Sequence, residues 1–171
     1  RTTIQRASRV RELSKGMVPQ LPLALVMAVD ARLLVLDEPT LGLDILYRKQ
    51  FYDSLLNDDC DRSRTIVVST HQVDEIQHIL TDVVFLSRGR SVLDCSMEDF
   101  EARYLEVVVR PDRLTDVRAL GPIHERQQFG RTALIFDGRD RDQLAALGEV
   151  HAPGLAEVFV ALMDTASEAA A

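Results

Sequence analysis

The chain has 171 residues, 46% of them hydrophobic, and a formal net charge of −7. That length and composition suit a globular chain with a core of its own, and the acidic balance argues against nucleic acid as a partner, which usually needs a basic face. The longest apolar stretches, such as residues 21–29 interrupted by Pro22, fall short of the roughly 20 residues that span a bilayer.

Residues 1–11, basic and dotted with Thr2, Thr3 and Ser8, read as the end of a helix leading into Leu13, and a helical apolar pattern runs on to Ala31. Residues 32–37 read as a strand buried on both faces, 45–57 as a helix with Leu46, Phe51, Leu55 and Leu56 near one stripe, and 65–69 as a second buried strand. A helix over 72–80 and a third strand over 83–86 follow. Strands alternating with helices predict a parallel sheet covered on both sides.

The turn at Arg88-Gly89-Arg90 leads into a short strand over 91–93, and Ser96 with Asp99 resembles an N-capping box for a helix ending at Arg103. The texture then changes to a strand over 105–109, a helix over 112–120, a hairpin of 123–128 and 132–136 through Phe129-Gly130-Arg131, a helix over 140–147, a strand over 149–151 and a closing helix over 155–163. That order, βαββαβ plus a helix, predicts a small α+β ferredoxin-like domain. The expected division is 1–103 and 104–171, with a tail from Thr165 that frays. Cys60 and Cys95 stand apart, outside any metal or redox spacing, and read as plain thiols. The first residue is Arg1 and no targeting segment follows it, so the front of the chain looks truncated and the compartment cytosolic.

Leu33-Leu34-Val35-Leu36-Asp37-Glu38-Pro39-Thr40 sets two adjacent carboxylates at the carboxyl end of a strand, the edge where ligands bind in open α/β sheets. One carboxylate there can hold a magnesium ion alongside water and phosphate oxygens. Its neighbour can take a proton from a water molecule. The same pair also reads as a plain strand end that caps the next turn.

In its surroundings this stretch resembles the Walker B strand of the ABC ATPase family. Leu41-Gly42-Leu43-Asp44 is similar to that family's D-loop, Ser69-Thr70-His71 falls where its switch histidine lies, and Leu13-Ser14-Lys15-Gly16-Met17 looks like a variant of its signature L-S-G-G-Q. The four motifs stand in the family's order over residues 13–90, which implies the carboxy-terminal part of a P-loop NTPase-like α/β domain. The resemblance implies ATP and Mg2+ as cofactors, with Asp37 on the metal, Glu38 as general base, and His71 contacting the γ-phosphate and helping to place the water. Phosphoryl transfer asks mainly for such positioning and charge stabilisation.

It also implies that Ser14 and Gly16 touch nucleotide held by a second ATPase subunit, in a homodimer. Amides at a helix start suit an anion, and Ser14 as an ordinary N-cap is compatible with the same geometry. Asp44 would cross that dimer interface, or else simply cap the helix starting at Ile45. Lone histidines such as His71 are often structural.

The family's phosphate loop, G-x-x-x-x-G-K-[ST], does not occur in the 171 residues, and the family's adenine-stacking aromatic and Q-loop glutamine are unaccounted for. These residues alone are expected to bind ATP weakly or not at all. Lys15 and Met17 depart from the signature, and Pro19 and Pro22 fall where a helix is expected, so that the helix begins near Val18 or the signature is distorted. Beyond Tyr104 the chain resembles an accessory domain of exporter-type subunits; the apolar stripe of its closing helix reads as packing on its own sheet, with a regulatory or dimer-stabilising role as the alternative. The implied role is an ATPase subunit, peripheral on the cytoplasmic face of the membrane, that powers a separate transmembrane permease. The alternatives are a non-transport ABC ATPase and a catalytically inactive regulatory module.

Overall fold

The computed structural model describes residues 4, 7–14, 16–59 and 64–168. Expectations resting on Lys15, Cys60, most of the first six residues and residues 169–171 lie outside the described residues. Contacts divide the chain into two units, Arg1–Ile79 and Leu80–Ala171.

In the first unit β1 (Leu33–Asp37) and β2 (Thr65–Ser69) pair in parallel, with Asp37 opposite Ser69. Parallel strands need a crossover of about a dozen residues or more, and α2 (Ile45–Asp59) supplies it. The strands are not buried on both faces, as the apolar run had implied. Leu34 and Leu36 are buried, whereas Leu33 and Val35 are 57% and 65% exposed. A pleated strand sends successive side chains to opposite faces, and the described residues of this unit cover one of them.

The helix predicted over 13–31 is confined to α1 (Gln20–Met27). Pro19 is its N-cap and Pro22 its third residue. Neither ring removes a helix bond there, because the first N–H groups of a helix have no intrahelical acceptor. The prolines therefore set where the helix starts. Ahead of it the N–H groups of Met17 and Val18 both reach the Ser14 carbonyl, and Gln20 N–H reaches that of Met17, so the chain advances by tight turns. Val10–Glu12 is a 3-10 turn rather than the end of an α-helix. The helix predicted over 72–80 is a single turn, α3 (Val73–Ile76), continued by a 3-10 turn at Gln77–Ile79.

The second unit opens with β3 (Asp82–Ser87) and β4 (Arg90–Ser96), an antiparallel hairpin rather than another parallel strand and a short one. Its two-residue turn, Arg88-Gly89, has φ of +50° and +75°, the left-handed pair whose twist suits flanking strands. α4 (Met97–Arg103) is capped as predicted, by Ser96 accepting from Asp99 N–H at 3.0 Å. β5 (Tyr104–Val109), α5 (Leu114–Arg118), β6 (His124–Gln128), β7 (Arg131–Asp137), α6 (Arg141–Ala145) and β8 (Glu149–His151) then form a four-stranded antiparallel sheet in the order β6-β7-β5-β8. With strands named in sequence order this is 2-3-1-4, the ferredoxin-like arrangement of a βαββαβ chain.

Val107, Val117, Leu134, Phe136 and Leu144 centre its core. The backbone packs tightly at Gly148, where a Cβ would lie 2.7 Å from the Val108 carbonyl oxygen. α7 (Leu155–Glu168) buries Leu155, Val158 and Ala161 along one stripe. It continues through Thr165 to Glu168, past the expected start of fraying, since extending a formed helix is far easier than starting one.

The unit boundary at Ile79/Leu80 precedes the 103/104 division drawn from sequence texture. Three contacts bind the intervening hairpin and helix to the four-stranded part: Phe85 meets Phe159 edge-on at 5.2 Å, Phe100 meets Tyr104 at 5.1 Å, and Arg103 grips Asp137 through two bonds of 2.6 and 2.8 Å.

Candidate functional site

The end of β1 brings the predicted carboxylates to the end of β2. Ser69, the register partner of Asp37, donates its hydroxyl to the Asp37 carboxylate. Glu38 turns out of the strand with φ of +43°, while its N–H stays bonded to the Ser69 carbonyl at 2.9 Å. A left-handed backbone costs a residue with a Cβ about 1–3 kcal/mol. Hydrogen bonds on the Glu38 carboxylate oppose that cost. Its Oε1 accepts from the His71 N–H at 3.0 Å and lies 2.7 Å from His71 Nδ1, and its Oε2 accepts from the Thr70 hydroxyl at 3.1 Å.

The His71 ring is the main cause that holds the Glu38 carboxyl below its ordinary range; partial desolvation opposes it, and the Thr70 hydroxyl and His71 amide reinforce it. An ionised carboxylate can only accept, so Nδ1 carries the hydrogen, and in the neutral ring Nε2 is left as an acceptor. The His71 side chain is 68% exposed. The His71 and Thr70 donors keep the Glu38 carboxylate ionised and fix its orientation, so it can accept a hydrogen bond from water, while the same donors weaken it as a base.

Between Glu38 and α2 the chain makes two turns, Leu41 N–H to the Glu38 carbonyl and Leu43 N–H to the Thr40 carbonyl, with Gly42 at φ +82°. Thr40 is buried and its hydroxyl lies 3.2 Å from that of Tyr52, whose phenol burial pushes up. Asp44 caps α2: its Oδ1 accepts from Tyr47 N–H at 3.0 Å and its carbonyl from Arg48 N–H. Of the two readings open for Asp44, capping is the one this geometry displays.

Arg48, on the first turn of α2, donates from Nε to the Leu43 carbonyl and from Nη1 to Gln72 Oε1 and Glu75 Oε1, each at 2.8 Å. Gln72 N–H bonds in turn to the Thr70 hydroxyl oxygen at 3.0 Å. Sequence reasoning gave Ser69, Thr70, Arg48, Gln72 and Glu75 no role. The side-chain partners of Arg48 lie 24 and 27 residues away, beyond any local pattern.

Ser14 and Gly16 sit elsewhere in the unit, in the turns ahead of α1. The expectation that Ser14 caps a helix is corrected, because Pro19 occupies the N-cap. The Ser14 carbonyl is taken by Met17 and Val18, and the Gly16 carbonyl accepts from Gln20 Nε2 at 2.9 Å.

Among the described residues no three His, Cys, Asp or Glu side chains gather as a metal centre. One carboxylate beside a hydroxyl, at a strand end, does fit a magnesium ion held mostly by water and phosphate, which uses one or two protein carboxylates. Asp37 with Ser69 is such a donor set.

No family model matches the chain. A putative ABC transporter ATP-binding protein of Bacillus thuringiensis subsp. konkukian is 38% identical over 98 residues, 57% of this chain and 18% of that protein. The ABC transporter ATP-binding protein YtrB of Bacillus subtilis is 27% identical over 117 residues, 68% of this chain and 39% of its own length. The chain is a homologue of ABC transporter ATP-binding proteins. It spans between 5% and 39% of the length of these ABC relatives and a mammalian one. A solved structure, a putative cobalt transport ATP-binding protein, overlays with a TM-score of 0.47 at 18% identity, over 90% of this chain and 52% of its own. No helix among the described residues is long and apolar enough to cross a membrane.

Proposed function

We propose that this chain carries the hydrolytic half of an ATP site in the ATPase subunit of an ABC transporter. The observation that supports it best is the geometry of the Glu38 carboxylate, gripped by His71 and Thr70 at the end of a parallel strand pair. In this reading Glu38 orients the attacking water and accepts its proton, and His71, held through Nδ1, turns Nε2 to the γ-phosphate side, where it donates in the imidazolium form, the one in which both ring nitrogens carry hydrogens. Asp37 would hold a magnesium ion, which when bound supplies charge neutralisation at the phosphates. Ser69 keeps the Asp37 carboxylate oriented.

The 171 residues contain no glycine-rich phosphate loop, so the phosphates need a cradle from other residues. Ser14 and Gly16 would face nucleotide on a second, identical subunit, and Asp44 would couple the two sites across that interface while capping α2. Residues 1–103 form the ATPase portion and 104–171 an accessory domain. A separate transmembrane permease, of exporter type, is the partner, with this subunit at the cytoplasmic face of the membrane.

Glu38→Gln in the complete protein tests the assignment. Hydrolysis should fall by about 10²–10⁴-fold, the range of a positioned general base, with ATP still bound and the dimer retained on size exclusion. Wild-type turnover in that variant overturns it.

A further inference from the structure

We propose that Arg48 is a positioning residue for hydrolysis, which fastens the Leu43–Asp44 turn to the segment carrying His71 so that the two hold one geometry. The proposal rests on the reading of Glu38 and His71 as the hydrolytic pair. His71 is mostly exposed, so its orientation depends on its two bonds to Glu38 and on the backbone of residues 70–72 rather than on packing. That backbone is fastened at Gln72 from two sides, by its N–H on the Thr70 hydroxyl and by its side chain on Arg48.

α3, which follows, is four residues long, too short to persist without tertiary anchors. Arg48 supplies one through Glu75. The same guanidinium reaches back to the carbonyl of Leu43, next to Asp44. The guanidinium holds its donors in a fixed planar fork, here on three acceptors, whereas the three donors of an ammonium rotate on a flexible stem and hold no such geometry. Arg48 and Glu75 retain 23% and 34% of their side-chain exposure, so the pair is partly shielded from solvent. Oε2 of Glu75 is already buried with no hydrogen-bond partner among the described residues. Without Arg48 that carboxylate would be driven towards water, carrying α3 and Gln72 with it.

Arg48→Met and Arg48→Lys in the complete protein, with ATP hydrolysis and amide hydrogen exchange measured on both, test the proposal. Displacement of about 1 Å in a reacting group can cost about 10²-fold, so kcat of Arg48→Met should fall by about ten- to a hundredfold. KM for ATP should stay within about threefold of wild type, the signature of a lost transition-state arrangement. Exchange at the His71 and Gln72 amides should quicken, Arg48→Lys should recover part of each effect, and Arg48→Met on a His71→Ala background should lower kcat no further.

Unchanged kcat and exchange in Arg48→Lys together with Arg48→Met, a rise in KM with kcat intact, or a full additional loss on His71→Ala overturns the proposal. If Arg48→Met fails to fold, Arg48→Lys decides, and wild-type values there overturn it. Should the wild-type protein not hydrolyse ATP, the hydrolytic reading falls. Exchange at His71 and Gln72 then decides the role of Arg48 by itself, and unaltered rates in both variants overturn it.

Discussion

β1 leaves Leu33 and Val35 open to solvent, whereas β5 and β7 hold Leu105, Val107, Val109, Leu134 and Phe136 at 3% exposure or less. Similar aliphatic runs thus meet opposite conditions in the two units. In the second unit a four-stranded sheet and its helices close over the apolar side chains, and geometry is secured by volume and close contact. In the first, the end of the strand pair is secured by polar bonds: Ser69 on Asp37, Thr70 and His71 on Glu38, Arg48 on Gln72 and Glu75. The difference teaches that the candidate site is held by directional contacts of modest strength, and the four-stranded sheet by packing that tolerates little change of size.

The sharpest way to break this contrast is to cut into the packed sheet. Phe136→Ala should cost about 3–5 kcal/mol, the range for a large buried ring, read as a lower midpoint in urea unfolding. Gly148→Ala should follow at about 1–3 kcal/mol, because its Cβ would press on the Val108 carbonyl; thermal unfolding checks it. On the polar side, Asp44→Ala removes the cap of α2 and should cost about 1 kcal/mol. Equal losses for Asp44→Ala and Phe136→Ala would erase the distinction.

The smallest effect is that of acid. Because the His71 ring holds the folded Glu38 carboxyl below its ordinary value of 4.5, the group adds stability above that pH and loses it as the pH falls through the folded value. Carbon-13 NMR of the Glu38 carboxyl should give a midpoint under 4.5 in wild type and one closer to 4.5 in His71→Ala. A wild-type midpoint at 4.5 would remove the electrostatic half of the contrast.

Much of this was legible locally. An apolar run ending in Asp37-Glu38, a β-type run ending in Ser69-Thr70-His71, and Ser96 three residues ahead of Asp99 each carry their structure in neighbouring residues. So does the hairpin at Phe129-Gly130, where both φ values are positive. What was illegible depends on distance along the chain. Nothing near Arg48 announces Glu75, and nothing in residues 82–103 announces that Phe85 will meet Phe159 or Arg103 will meet Asp137. The burial of β1 was overread because an apolar run reports what a strand can cover, not what is present to cover it. Pro19 and Pro22 left two readings open, a helix that begins near Val18 or a distorted signature, and α1 with its N-cap at Pro19 lies close to the first.

The residue-for-residue ladder between 33–37 and 65–69 works as a ruler. Asp37 and Ser69 are its last matched marks, and Glu38 and His71 stand one and two residues beyond them. Side chains alternate with a period of two, at about 3.3 Å per residue, so deleting one residue from 65–69 would move His71 by a full mark and invert the faces behind it. Exchanging one aliphatic residue for another would leave the marks aligned. This stretch should therefore accept many spellings and almost no change of length.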